Sequence, residues 1–226
     1  MKSEKLFAGL DPSASDQKAS GICLLDSYKK VLHIGKWYEF KEILPLIPSD
    51  KKEIILVAID GPLQPPHELD WCCFSSKMAA CDHLQTTPYK GRYGEYILNK
   101  MGFRCFVTSR NSFAKKWMLR CFQLNHFLID KGLQTIEVFP SATKKLLFPF
   151  LKGKKQLKSN RKKLLKALKK WGLRFSDPSI VYSHNELDAV LAALTAYLHD
   201  QGESISVGNS SDGYIIVPKE NLFNEM

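Results

Sequence analysis

Leu6 to Leu10 form a short apolar run that stops on Asp11, with Pro12 and Ser13 behind it. Ile54 to Ile59 repeat the pattern and stop on Asp60, ahead of Gly61 and Pro62. Apolar runs of this length between turn residues predict buried strands. Ser20 to Asp26 and Lys30 to Lys36 predict two more, close enough in sequence to pair antiparallel through hairpins. Tyr38 to Leu46 has helical spacing and ends at Pro48. A helix ahead of Ile54–Ile59 predicts a crossover, so that strand should lie parallel to the first.

The middle of the chain is less regular. Gly61 to Arg92 carry Pro62, Pro65, Pro66 and Pro88, three of the six cysteines and the tract Lys90-Gly91-Arg92-Tyr93-Gly94. A segment of this kind predicts a functional loop or an insertion. Tyr93 to Lys100 predict a short helix and Phe103 to Thr108 a short strand. Phe113 to Leu128 place Trp117, Leu119, Phe122, Leu124, Phe127 and Leu128 at helical spacing, ending before Gly132.

Thr135 to Phe139 alternate, with Ile136 and Val138 on one face and Thr135, Glu137 and Phe139 on the other. Ser141 to Phe150 and Lys158 to Trp171 predict helices, the second with Leu157, Leu164, Leu168 and Trp171 as its apolar stripe. Ser183 and Glu186 fit a capping box at the start of a helix running to Leu198. On it, Leu187, Val190, Leu191, Leu194 and Leu198 form the apolar face. Asp188 lies on a separate stripe with Ala192, Thr195 and His199, whose small residues predict close packing on a sheet. Gly213 to Pro218 predict a short edge strand or a docked tail.

The 226 residues are 44% hydrophobic and 25% charged, as in ordinary globular proteins. The apolar runs fall well short of a bilayer span, and the first residues lack a signal-peptide core, so a cytoplasmic protein is expected. The net charge is +10, and it is not spread evenly. Lys144 to Arg174 hold 13 of the Lys and Arg residues and no acid, so the remainder is mildly acidic. Such a run is either a solvated helix face or the footprint of a polyanion, and a basic amphipathic helix also suits a calmodulin-like or membrane-surface partner. On the nucleic-acid reading, Lys154, Lys155, Lys158, Arg161, Lys162, Lys163, Lys166 and Lys170 track phosphates without reading bases.

Six cysteines in such a chain are expected to be free thiols. Cys72, Cys73, Cys81 and His83 are close enough in sequence to consider zinc, but fit none of the usual paired spacings. The stronger chemistry is acidic. A carboxylate at the edge of a core is costly unless it is paired or binds a metal. Two strands ending on Asp11 and Asp60 suggest one acidic site at one sheet edge, although each Asp taken alone suits a turn equally well.

The ordered pieces AGLDPS (8–13), AIDGPL (58–63), EVFPS (137–141), SHNELDAVLAALTA (183–196) and IIVP (215–218) resemble a family of unknown function, domain of unknown function 429, predicted to be RNase H-like nucleases. At Cys81-Asp82 the chain lacks an arginine that the family pattern carries. The resemblance implies one RNase H-like α/β domain over residues 1–226. It would have a mixed five-stranded sheet, three antiparallel strands and then parallel additions, flanked by helices. Residues 61–112 would be an insertion and 144–174 the basic segment.

The resemblance also brings Asp11, Asp60, Glu137 and Asp188 together as a catalytic, metal-holding set for Mg²⁺ or Mn²⁺. Two such ions about 3.5–4 Å apart neutralise a scissile phosphate and activate water. Asp11 would bridge, Asp60 and Glu137 complete one shell, and Asp188 hold the second ion and orient the water. The partner would then be DNA or RNA. Two other readings stay open: an ATP-dependent phosphotransferase of the same fold class, though the chain has no second glycine-rich loop, and a non-catalytic nucleic-acid-binding module.

Overall fold

The computed structural model describes residues 5–47, 55–75, 82–177 and 180–220. Its centre is one mixed sheet of seven strands: β1 (Leu6–Asp11), β2 (Ser20–Asp26), β3 (Val31–Trp37), β4 (Ile55–Asp60), β5 (Gln134–Val138), β6 (Ser204–Asn209) and β7 (Gly213–Pro218). Across the sheet the order is β3-β2-β1-β4-β5-β7-β6. The first three strands pair antiparallel, while β4, β5 and β7 add in parallel. Among the described residues five α-helices accompany it: α1 (Tyr93–Lys100), α2 (Lys115–Asp130), α3 (Pro140–Leu147), α4 (Lys158–Lys170) and α5 (His184–Asp200).

The first five strands take the expected order, but the sheet has seven. β6 and β7 form an antiparallel pair, and β7 joins β5, so Gly213–Pro218 is an inner strand rather than an edge. Tyr38–Leu46 is not a helix but two 3₁₀ turns, Phe40–Glu42 and Leu44–Leu46. Pro45 has no N–H to offer, so an α-helix cannot run through it. Phe103–Thr108 forms no strand; the Thr108 N–H donates instead to the Glu95 carboxylate at 2.8 Å.

Strand alternation divides the core between the two faces. Phe7, Cys23, Leu25, Ala58 and Val138 pack with α3, α4 and α5. Ala8, Leu10, Ile22, Leu24, Val57 and Ile59 pack on the other side with Trp37, Ile43, Leu124 and Leu128. Leu98 of α1 packs with Val207, Ile215 and Val217 at the β6–β7 end.

Helix α5 lies directly on the β1 backbone. A Cβ on Gly9 would stand 2.0 Å from the Ala189 carbonyl oxygen and 2.3 Å from the Ala193 nitrogen. The small residues that touch the sheet are thus Ala189 and Ala193. Thr195 turns toward α3, where its hydroxyl and that of Thr143 meet at 2.8 Å. The expected capping box is complete: the Ser183 N–H donates to Glu186 Oε2 at 2.7 Å, and the Glu186 N–H donates to Ser183 Oγ at 3.3 Å.

Candidate metal centre

Parity decides which acids meet. In β1 the residues facing α5 are Phe7, Gly9 and Asp11; in β4 they are Leu56, Ala58 and Asp60. Leu10 pairs with Ile59, so Asp11 and Asp60 end neighbouring strands at one level and on one face. Asp188, one turn into α5, is delivered to the same place. Asp11, Asp60 and Asp188 each offer a carboxylate oxygen, and the three oxygens lie within 4.8 Å of one another.

Glu137 is not in that group. It pairs with Ile59 in the β4–β5 register, and Ile59 faces the opposite side of the sheet from Asp60. There its carboxylate accepts both arms of the Arg92 guanidinium, with Nη1 to Oε2 at 2.6 Å, and the Leu63 N–H at 3.1 Å. Arg92 also donates from Nε to Glu95 Oε1 at 2.9 Å, and all three side chains are buried. Sequence reasoning missed Arg92 and Glu95. Their one local signal is the spacing of Arg92 and Glu95 at the start of α1, where Glu95 accepts the Arg92 N–H at 3.1 Å.

Lys155 stands inside the acidic group and donates from Nζ to Asp188 Oδ2. It was expected among the phosphate-tracking lysines. Asp11 is held well above the ordinary carboxylate range by burial, and then by the charges of Asp60 and Asp188; Lys155 only partly offsets this. Burial and Asp188 push Asp60 up to about 8. Lys155 is disfavoured as a cation by burial, but Asp188 and the other two acids more than offset that and raise it. Three hard oxygen donors this close, already drawing in one cation, suit Mg²⁺ or Mn²⁺.

The group opens into a cavity of about 770 Å³ that reaches from Asp11, Asp60 and Lys155 past Glu137 to residues 104–106 and 112–117. Behind it, α4 buries Leu164, Leu165, Ala167 and Leu168. Lys158, Lys162, Lys163, Lys166 and Lys170 are exposed, as is Lys154 ahead of the helix. Arg161 is half-buried and donates to the Gln156 carbonyl. Leu157, expected in the apolar stripe, is exposed at the position before the helix. On the far loop, Asp70, Cys72 and His83 converge at the surface, again with ligand atoms within 4.8 Å. Cys73 is buried under that loop, and Cys81 lies outside the described residues.

No family model and no curated protein sequence matches the chain. Among solved structures it is similar to T. thermophilus RuvC in complex with Holliday junction substrate. The identity is 13%, with 88% of this chain and 96% of that chain covered, at a TM-score of 0.42. That likeness is too slight to carry over a residue or an activity. Among the described residues, no helix is long and apolar enough to cross a membrane.

Proposed function

We propose that the chain is an RNase H-like, divalent-metal-dependent nuclease that hydrolyses phosphodiester bonds in DNA or RNA. The observation that carries this reading is the meeting of Asp11, Asp60 and Asp188 from two strands and a helix around one ammonium group. Three carboxylates brought together from distant parts of the chain repel one another, and a hard cation relieves that repulsion. A bound Mg²⁺ or Mn²⁺ would neutralise charge at the scissile phosphate and lower the pKa of an attacking water.

The chain's own residues do the rest. Asp11 and Asp60 would hold the ion from the sheet, and Asp188 would hold it from α5. Glu137 joins the ligand set only if Arg92 releases it; otherwise the Arg92–Glu137 pair fixes the wall of the cleft below Leu63. Lys155, which pairs with Asp188 in the metal-free protein, would be free to meet a phosphate oxygen once a metal took up the Asp188 carboxylate. The exposed lysines of α4 and Lys154 follow the backbone beyond the site.

The test is hydrolysis of single-stranded, duplex and branched DNA and RNA with Mg²⁺ or Mn²⁺, alongside calorimetric titration of the metal. Wild-type turnover that disappears in Asp11→Asn and Asp60→Asn, together with lost metal binding, supports the reading. A second reading, a non-catalytic nucleic-acid-binding module, is favoured by Lys155, which already pairs with Asp188 and partly offsets the charge of the group. Nucleic-acid binding with no metal uptake would select it.

A further inference from the structure

The cavity beside the acidic group has a second wall of different chemistry. It is formed by Phe106, Phe113 and Trp117, with Arg104, Lys115 and Lys116 around them. The rings touch: Phe106 and Phe113 have centroids 5.7 Å apart at 75°, and Phe106 and Trp117 5.6 Å apart at 59°. Buried aromatic clusters of this kind are ordinary core, but this one is not buried. Phe113 is 91% exposed and Phe106 54%.

The wall is also tied to the acids. Trp117 donates from Nε1 to the Pro12 carbonyl at 2.9 Å, one residue beyond Asp11. A large exposed aromatic face needs an occupant to hold it against water. The acids would hold a metal that suits a phosphate, the rings offer π-faces, and the flanking cationic groups complement further phosphates. A nucleic-acid base that is already paired in a duplex has its faces covered by its neighbours, so it cannot lie on such rings.

We propose that this wall is a stacking platform for an unpaired nucleotide next to the scissile phosphate, so that the preferred substrate is single-stranded nucleic acid or an unpaired segment of a branched one. In this arrangement Phe113 and Phe106 stack the base, and Arg104 and Lys116 meet the adjoining phosphates. The inference rests on the nuclease reading for the position of the scissile phosphate. The platform itself can be tested without turnover.

The experiment is fluorescence binding of an oligonucleotide carrying 2-aminopurine, as a single strand and as a duplex of equal length, in EDTA to prevent cleavage. Wild-type protein should bind the single strand more tightly and quench the 2-aminopurine. Phe113→Ala and the double variant Phe106→Ala/Phe113→Ala should weaken single-strand binding by about tenfold or more and lose the quenching. Duplex binding should stay within about twofold, because it depends on the lysines. Phe113→Leu keeps apolar area without the ring and should behave like Phe113→Ala. Full affinity in Phe113→Leu with loss only in Phe113→Ala would show that apolar area, not ring stacking, binds the strand, and would overturn the proposal. Unchanged single-strand affinity in both alanine variants would also overturn it, whatever the wild-type hydrolysis assay gives. That assay decides the metal-site reading separately, since a platform can bind without cleaving.

Discussion

Lys155 donates from Nζ to Asp188 Oδ2 from a position between three carboxylates, with 41% of its side chain still exposed. A lysine from the basic segment thus partly offsets the acidic group, where a metal would do so in the proposed reaction. Lys155→Met should remove that charge and leave the acids uncompensated. Metal-free stability should fall by about 1–2 kcal/mol, less than for breaking a fully buried pair. Mg²⁺ or Mn²⁺ affinity should rise, because no ammonium competes. Chemical denaturation with and without metal, together with calorimetric titration, checks both; equal affinity in the variant would remove Lys155 from the centre.

Asp60 makes the stability depend on pH. Its pKa is about 8 in the folded protein against about 3.9 unfolded, so the folded state holds the extra proton between those values. Its contribution is therefore fully present below about pH 4 and is lost as pH rises through about 8. Without metal, Asp60→Asn should melt higher than wild type at pH 8 and no differently below pH 4. Metal binding to the wild type should strengthen across the same window, as the proton leaves. Melting curves over a pH series with EDTA are the measurement.

Asp188 lies one turn into α5, beyond the first-turn position that Glu186 occupies. A helix-dipole role would make Asp188→Asn cost no more than about 0.3–1 kcal/mol and spare turnover. As a ligand, the same change should abolish metal-dependent hydrolysis, and because it also breaks the Lys155 ion pair it should lower metal-free stability by more than the dipole alone. Both quantities measured on one preparation separate the two roles.

The exposed face of α4 should govern salt dependence. Lys162, Lys163, Lys166 and Lys170 are all solvent-exposed on a helix whose other side is packed. Each phosphate that a lysine no longer neutralises should reduce the logarithmic salt slope by about 0.9 on duplex DNA. Replacing all four by Ala should flatten the slope while the circular dichroism spectrum stays the same. A slope equal to that of wild type would assign these lysines to solubility.

Gly9→Ala should be costly although it adds one methyl group. The new Cβ would meet backbone atoms of α5 at 2.0 and 2.3 Å, and neither can rotate away. A loss of at least about 1–3 kcal/mol is expected in urea denaturation, the cost of overpacking a filled core. Metal affinity should fall as well, since the displaced helix carries Asp188.

Much of this was legible in the sequence. The two acid-ended runs, the capping box at Ser183 and Glu186, and the pairing of the first four strands follow from local patterns, whereas the parallel addition of β5 came only with the family resemblance. The sixth strand did not, because Ser204–Asn209 is short, polar and partly exposed, and its identity as a strand comes from pairing with β7. Glu137 carried its own signal. The alternation of β5 was readable, but placing Glu137 on the opposite face from Asp60 needs the register between β4 and β5. Its partner Arg92 lies 45 residues away across an irregular segment, where no spacing rule reaches. Lys155 looked like one lysine among many, since nothing in a basic run marks the member that turns inward.

The close approach of Gly9 to α5 has a consequence for how this protein could change. Asp11 is two residues from Gly9, and Asp188 is next to Ala189, so the gap between those acids is gauged by one peptide chain resting on another. A gap filled by side chains can be retuned by many substitutions, but one set by backbone against backbone cannot. The far wall of the cleft is built otherwise, from exposed side chains on residues 104–117. Its members can be exchanged without moving the strand or the helix. The jaw that would hold the ion has a fixed calibre, whereas the surface that would choose the substrate is free to drift.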